Sequence, residues 1–248
     1  MAGTMNEVTG LYRRMAGACP AWQVRVLTEG RPGAGWVPAA RFADSVDELV
    51  AGEAARIRER HGRAVPARVA GSRLLHHYLW SVGLLVGGPW YLAGLVPDLP
   101  AAAVWLEPAT GELAVRVGGP AEHGDAGRVR AAVADHAQGV LAAFRPVLRR
   151  GERALWGMVT DDLISGVWHL GRMLGREEHA VRRAAELGGL APMVGSADFR
   201  CLEVDGRPEL TRTRVSCCLY YAIGPATPAC LTCPRTGDAE RVRRLAEG

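Results

Sequence analysis

Four of the six cysteines in this 248-residue chain lie close together in sequence, and cysteine sulfur is a ligand for soft metals. They form an adjacent pair, Cys217 and Cys218, and a Cys-x-x-Cys pair, Cys230 and Cys233. Eleven residues that include glycine and proline, Leu219 to Ala229, separate the two pairs. A loop of this kind lets the chain turn back and bring four thiolates together. The spacing therefore predicts a metal centre with four sulfur ligands.

The spacing also bears on which metal is bound. Zinc sites use cysteines two to four residues apart, so that both sulfurs turn toward one ion, and the adjacent Cys217 and Cys218 fit that spacing poorly. A 2Fe-2S cluster is longer, so neighbouring side chains that diverge can still both be ligands. The spacing favours the cluster and leaves zinc, disulfides and free thiols open. Thioredoxin-like chemistry at Cys230 and Cys233 is disfavoured, because no βαβ pattern follows them.

The same segment resembles the C-terminal signature of the FhuF-like ferric-siderophore reductases. That signature is Arg-x-Ser-Cys-Cys-Leu-x-Tyr, a short Pro/Gly loop and Cys-x-x-Cys. The residues that match it in order are Arg214, Ser216, Cys217, Cys218, Leu219, Tyr220, Cys230 and Cys233. The family usually has ten residues between its cysteine pairs. We interpret the eleven residues here as a loop variant, because insertions into loops cost little free energy.

The resemblance implies a 2Fe-2S cofactor whose metal ligands are Cys217, Cys218, Cys230 and Cys233. It implies an enzyme, a ferric-chelate oxidoreductase that reduces Fe(III) in an imported, hydroxamate-type siderophore by one electron. Its partners are then the ferric siderophore and a ferredoxin-like or other electron-donor protein. No catalytic residue beyond the cluster is assigned. Two alternatives use the same cysteines: a 2Fe-2S electron-transfer or iron-sensing protein, and a siderophore-binding module with structural zinc.

Other polar residues are candidates for supporting roles. Near the cysteines these are Arg212, Arg214, Arg235, Tyr220 and Tyr221. Positive charge there favours the reduced cluster and raises its potential, and solvated surface arginines are an equally good interpretation. The tyrosines could pack over the cluster or line the way to a bound chelate, but ordinary packing beside the site is the favoured interpretation. Elsewhere the candidates are His76, His77, Asp135, His136, Asp161 and Asp162. Adjacent histidines on a helix point about 100° apart, so at most one of the two serves a given site.

The remaining candidates have simpler interpretations. We interpret the Asp135-His136 and Asp161-Asp162 pairs as helix-surface residues. The two other cysteines, Cys19 and Cys201, are expected to be small buried hydrophobic residues.

The composition indicates a folded protein with a weak charge bias. Hydrophobic residues make up 48% of the chain, and 30 basic residues, all arginine, against 26 acidic ones leave a net charge of +4. No basic run is present, so no nucleic-acid partner is expected. Residues 1–20 lack a signal-peptide pattern, which predicts a cytoplasmic location, where clustered cysteines more often bind metal than form disulfides. Glycine-rich nucleotide fingerprints are also missing, so we expect no direct binding of NAD(P)H.

Periodicity and turn signals predict a mostly helical α+β fold. Apolar stripes predict helices near 5–15, 46–61, 129–148, 155–174 and 177–188, and turn signals predict β-hairpins over 103–117 and 198–215. Residues 74–97 contain no charged side chain, but Gly87-Gly88-Pro89 is expected to break this run into pieces too short to cross a membrane. We predict no transmembrane span and leave peripheral membrane contact open. The domain boundaries we expect are a helical α+β, siderophore-reductase-like body, 1–206, and a C-terminal 2Fe-2S-binding segment, 207–248.

Overall fold

The fold is mostly helical with small sheets, which confirms the predicted α+β class. The computed structural model describes residues 4–189 and 191–247. The helices are α1 (Met5–Ala18), α2 (Phe42–His61), α3 (Ala67–Ala93), α4 (Ala126–Leu148), α5 (Glu152–Met173), α6 (Glu177–Ala185) and α7 (Asp238–Ala246). The strands are β1 (Val24–Leu27), β2 (Val37–Pro38), β3 (Leu95–Val96), β4 (Val104–Leu106), β5 (Leu113–Arg116), β6 (Glu122–His123), β7 (Phe199–Val204) and β8 (Arg207–Arg212).

Helix α3 is the centre of the core, and it corrects one prediction. The Gly87-Gly88-Pro89 sequence does not break it, because the helix runs without interruption from Ala67 to Ala93. Pro89 has no N–H to donate to the carbonyl of Leu85, one turn earlier. The hydroxyl of Tyr12 on α1 donates to that carbonyl instead, at 2.7 Å, so the acceptor stays satisfied inside the core.

Close packing explains the glycines in α3. A Cβ at Gly83 would lie 2.9 Å from the Cα of Leu163 on α5, and one at Gly88 would lie 2.3 Å from Met15 on α1. The glycines therefore let α1 and α5 approach the α3 backbone. No helix among residues 4–189 and 191–247 is both long and apolar enough to cross a membrane.

Helix α2 begins earlier than the sequence indicated. The sequence predicted a start near residue 46, but the helix continues directly from a 3₁₀ turn at Ala39–Arg41 and begins at Phe42. Phe42 is buried, and its ring packs edge-on against Tyr78 at 5.1 Å between centroids. This burial holds four additional residues in the helix ahead of the predicted start.

Both predicted hairpins are present. β4 pairs antiparallel with β5, and β1 and β2 extend this pair into a four-stranded sheet in the order β1-β5-β4-β2, with β1 parallel to β5. β7 and β8 pair antiparallel from Phe199–Arg212 to Val204–Arg207. Their turn residues, Asp205 and Gly206, have φ angles of 48° and 74°, which is the two-residue turn that an Asp-Gly sequence favours. The chain leaving β8 leads directly to the first cysteine pair.

Candidate metal centre

The fold brings the two cysteine pairs together. The Sγ atoms of Cys217 and Cys233 lie 3.5 Å apart, and the thiols of Cys218 and Cys230 are close enough for each to shift the pKa of the other. None of these four cysteines forms a disulfide. Each cysteine of the adjacent pair thus faces one cysteine of the Cys-x-x-Cys pair. This gives two thiol pairs side by side, a donor set that suits two irons bridged by sulfide.

One backbone hydrogen bond joins the two halves of the motif, and another closes the turn between Cys230 and Cys233. The N–H of Arg214 donates to the carbonyl of Thr232 at 2.8 Å, and the N–H of Cys233 donates to the carbonyl of Cys230 at 3.0 Å. The intervening loop starts with Leu219 in the left-handed region, at φ 62°, and continues as a 3₁₀ turn, Tyr220–Ile223. Leu219 also donates its N–H to the sulfur of Cys217 at 3.4 Å.

Asp161 on α5 fixes the segment before the first cysteine pair. Its carboxylate accepts the N–H groups of Val215 and Ser216 at 2.9 and 2.8 Å, and the Ser216 hydroxyl at 3.0 Å. The side chain is fully buried, with 0% exposure. The interpretation of Asp161 and Asp162 as helix-surface residues is therefore wrong. Both carboxylates point from α5 toward the cysteine segment, where buried arginines pair with them.

Those partners are two buried arginines. Arg212 donates to Asp161 Oδ1 at 2.9 Å, and also to the Ser165 hydroxyl and the Ala197 carbonyl. Arg214 donates to Asp162 Oδ1 at 3.1 Å and lies 3.8 Å from Asp161 Oδ2. Neither arginine is the solvated surface residue that was one interpretation of the sequence. Their charges make it possible to bury two adjacent carboxylates.

The side chains of the adjacent His76 and His77 point to different parts of the molecule, as expected for neighbours on a helix. His76 lies with its Nδ1 2.6 Å from Asp162 Oδ1, so it belongs to the buried network. His77 points elsewhere and bonds the carbonyl of Gly111 in the loop between β4 and β5. Burial lowers the pKa of His77 to about 4, which keeps its ring neutral near neutral pH.

The second cysteine pair is held by helix α7. Arg241 is only 2% exposed, and its guanidinium donates to the carbonyls of Leu231 and Cys233 at 2.6 and 2.9 Å. Asp238 accepts from Arg241 and, at 2.6 Å, from Arg200 on β7. This contact was not predicted from the sequence. A sequence signal that could have revealed it is the position of Arg241 in a short amphipathic helix that follows the Cys-x-x-Cys pair.

Comparison with known proteins agrees with this geometry. Residues 214–235 match the family model of the FhuF 2Fe-2S C-terminal domain. Residues 214–235 thus resemble that 2Fe-2S domain, and we call them the FhuF-like domain. The match includes both cysteine pairs with their eleven-residue loop, so the length of the loop is compatible with the match. A search of curated proteins returns no match. The cofactor of the FhuF-like domain is a 2Fe-2S cluster.

A site for a single metal ion would need several ligands that converge on one point, unlike the paired thiols found here. Within the described part of the chain, no group of three or more His, Cys, Asp or Glu side chains converges on one metal-ion position. The four thiols of the FhuF-like domain are instead arranged as the two pairs described above. Their residue types and pairing fit the cluster that the family match assigns.

Positive charge is concentrated on one side of the FhuF-like domain. Arg73 on α3 places Nη1 3.7 Å from the sulfur of Cys218, and its guanidinium lies 4.7 Å from the ring centre of Tyr220. The neighbouring thiol of Cys230, followed by nearby positive charge that includes Arg214 and Arg73, lowers the pKa of Cys218 to about 3. Burial raises the pKa of Cys217 to about 11. The arginine side of the site thus stabilises negative charge on sulfur.

A pocket of about 470 Å³ opens beside Cys218 and Cys230. Arginine and aromatic side chains from α2, α3 and α5 form its wall, together with Tyr220. Tyr220 is half-buried and packs against His61, whereas Tyr221 stacks with the exposed Arg235 at 4.6 Å. The two tyrosines therefore differ: Tyr220 lines the pocket, and Tyr221 pairs with an exposed arginine.

The remaining candidates lie outside the site. His136 is not on the helix surface as interpreted but buried, between the Tyr78 hydroxyl at 2.7 Å and the Leu99 carbonyl at 2.8 Å. Its neighbour Asp135 is exposed, as expected. Cys19 is buried, which confirms its prediction, whereas Cys201 is exposed on β7, and the expectation that it is buried is wrong. On a two-stranded hairpin, alternate side chains face solvent, and Cys201 has that orientation.

Proposed function

We propose that this protein is a ferric-siderophore reductase in which Cys217, Cys218, Cys230 and Cys233 ligate the 2Fe-2S cluster. The observation that carries the proposal is the pocket of about 470 Å³ that opens onto Cys218 and Cys230 of the FhuF-like domain. A chelate seated there lies beside the sulfur ligands. Short separation is what outer-sphere electron transfer between a cluster and a bound iron requires.

The chemistry is a one-electron reduction. The cluster, when bound, supplies one electron that it has received from a donor protein. Fe(III) is held tightly by hard oxygen donors, and Fe(II) binds such donors far less tightly, so reduction releases the iron and leaves the organic ligand intact. The resemblance implies a hydroxamate-type siderophore and a ferredoxin-like donor, and the first twenty residues predict a cytoplasmic location. We include the donor and the location in the proposal, whereas the siderophore class depends on the chemistry of the pocket wall.

The protein's own residues position the reacting groups. Asp161 and Asp162 hold the segment before Cys217 against α5, and Arg241 holds the turn between Cys230 and Cys233. Arg73 adds positive charge next to Cys218, which favours the reduced form of a cluster at this position. We propose that residues 207–248 form the cluster-binding segment and that the body, residues 1–206, forms most of the pocket.

Analysis of anaerobically purified protein tests the cofactor and its ligands. We expect about two iron and two acid-labile sulfide per chain. Cys230→Ser should lose both, whereas Cys201→Ser, which alters an exposed cysteine outside the motif, should keep them. Retention of the full iron and sulfide content by Cys230→Ser would contradict the assignment of ligands.

Turnover tests the activity. The dithionite-reduced protein should return to its oxidised spectrum when a ferric siderophore is added, and an Fe(II)-specific chelator should trap the released iron. Both hydroxamate and catecholate chelates belong in the series. A cluster-loaded protein that no ferric chelate oxidises would instead serve electron transfer to a protein or iron sensing, and the reductase assignment would fail.

A further inference from the structure

We propose that the pocket beside the cluster selects an anionic ferric chelate with aryl donor groups, of the catecholate type, over a neutral hydroxamate chelate. This inference rests on the proposed function, because it takes the pocket to be the siderophore site. It differs from the hydroxamate expectation that came with the family resemblance. The charge and the aromatic content of the pocket wall carry it.

The wall holds four arginines. Arg60 comes from α2, Arg73 from α3, Arg172 from α5 and Arg214 from the cysteine segment, and the lining includes no Asp or Glu. Within the described residues, Arg60 and Arg73 make no salt bridge, and Arg172 has only a weak one to Glu177 at 3.4 Å. Arg214 is compensated by the buried carboxylates of Asp161 and Asp162. The pocket thus presents largely uncompensated positive charge.

Aromatic rings alternate with these charges. Trp80 and Trp168 line the pocket together with Tyr220. Arg73 lies over Tyr220 at 4.7 Å, and Arg172 lies over Trp168 at 5.5 Å. Ring faces next to guanidinium groups suit a ligand that has aromatic rings and anionic oxygens, since each ring can stack while each oxygen accepts hydrogen bonds.

The two siderophore classes differ in charge. Three catecholate dianions around Fe(III) leave three net negative charges, whereas three hydroxamate monoanions leave a neutral complex. A cluster with four thiolates is itself negative, so it repels an anionic chelate unless positive charge lies between or around them. Arg73 lies within 3.7 Å of the Cys218 sulfur and also lines the pocket, which is the position that such screening requires. A neutral chelate has no need of Arg60 or Arg172.

The same charges assist the redox step. One electron passes from the reduced cluster to Fe(III), which becomes Fe(II), and a ferredoxin-like donor then restores the electron. The chelate gains one negative charge, so the arginines stabilise the reduced chelate more than the oxidised one. Positive charge in the pocket therefore raises the potential of a strongly anionic chelate, which is the class that is hardest to reduce.

Binding can be measured without electron transfer by using gallium. Ga(III) forms complexes of the same charge and shape as Fe(III) but does not accept the electron. Isothermal titration of the oxidised, cluster-loaded protein with a hexadentate tris-catecholate and a hexadentate trihydroxamate, both as gallium complexes, compares the two classes directly. We expect the catecholate to bind at least about tenfold more tightly and to lose affinity as sodium chloride is raised.

Arginine variants locate the effect in the pocket. Arg60→Gln and Arg172→Gln should each weaken catecholate binding about fivefold and leave hydroxamate binding unchanged. The matched controls are Arg58→Gln on α2 and Arg153→Gln on α5, two exposed arginines outside the pocket lining. Both controls should bind the catecholate like the parent protein.

The outcomes separate this inference from the proposed function. Equal or tighter hydroxamate binding, or no loss in Arg60→Gln and Arg172→Gln, overturns the inference. If the reduced protein nevertheless transfers electrons to a ferric hydroxamate, the reductase assignment survives that result. Tight gallium–catecholate binding by a protein that reduces no ferric chelate gives the opposite result: the pocket assignment holds and the reductase assignment fails.

Discussion

The two cysteine pairs are held by different forces. Cys217 and Cys218 follow a segment fixed by two carboxylates on helix α5, and those carboxylates are paired with arginines that are themselves buried. Cys230 and Cys233 lie on a turn fixed by carbonyl groups that accept hydrogen bonds from Arg241 on α7. The first pair therefore depends on ionic contacts inside the core, and the second on a short helix near the surface.

This difference predicts an order of effects. A buried charge that loses its partner is costly because it cannot return to water. A neutral carbonyl that loses one donor costs less, because it carries no net charge that has to be solvated. Substitutions that affect the first pair should thus destabilise the whole protein, whereas those that affect the second should act mainly on cluster retention.

The largest effect is expected from Asp161→Asn. The amide keeps the shape of the side chain but leaves the buried Arg212 without its carboxylate and weakens the hold on Val215 and Ser216. We expect a loss of about 3–5 kcal/mol in the free energy of unfolding. Urea titration followed by circular dichroism measures it, and the iron content should fall in parallel.

Asp135→Asn is the control for that substitution. Asp135 is an exposed aspartate on α4, and surface substitutions of this kind change stability by about 0.5 kcal/mol or less. A similar, small loss for Asp161→Asn would show that the buried ion pairs do not hold the first cysteine pair.

An intermediate effect is expected from Arg241→Gln. The shorter amide loses the donors to the carbonyls of Leu231 and Cys233. Hydrogen bonds from a charged donor are worth about 1.5–3 kcal/mol, so global stability should fall by less than in Asp161→Asn. Cluster absorbance in air should decay faster than in the parent protein. Arg243→Gln, on the exposed face of the same helix, should match the parent in both measurements.

The sequence was sufficient where local rules decide the structure. Cysteine spacing indicated the cluster, and the apolar stripe from Leu155 to Leu174 corresponds to helix α5. The Asp-Gly turn gave the β7–β8 hairpin that leads into Cys217. In each case residues close together in the chain carry the signal, so periodicity and turn chemistry can be applied without knowing the fold.

The sequence was insufficient where partners are distant. Asp161 and Asp162 look like helix-surface residues until Arg212 and Arg214, more than fifty positions away, are packed against them. Pro89 looks like a helix breaker until the hydroxyl of Tyr12 satisfies the carbonyl that it leaves free. Such long-range compensation leaves no local pattern, and the residues that support the cluster are of this kind.

The smallest of the three effects, and the one that compares the two cysteine pairs most directly, is electrostatic. Arg73 lies 3.7 Å from the sulfur of Cys218 in the first pair, whereas Arg235 follows the second pair and is exposed over Tyr221. A unit charge about 4 Å away contributes roughly 1 kcal/mol even in water-like surroundings, which is about 40 mV for one electron.

Arg73→Gln should therefore lower the reduction potential of the cluster by at least that amount in a spectroelectrochemical titration, and Arg73→Lys should restore most of it. Arg235→Gln should shift the potential by much less, because solvent screens an exposed charge. An equal shift in the two glutamine variants would mean that both cysteine pairs experience the same electrostatic environment. The contrast between the pair held by buried ion pairs and the pair held by hydrogen bonds from α7 would then not extend to the redox chemistry.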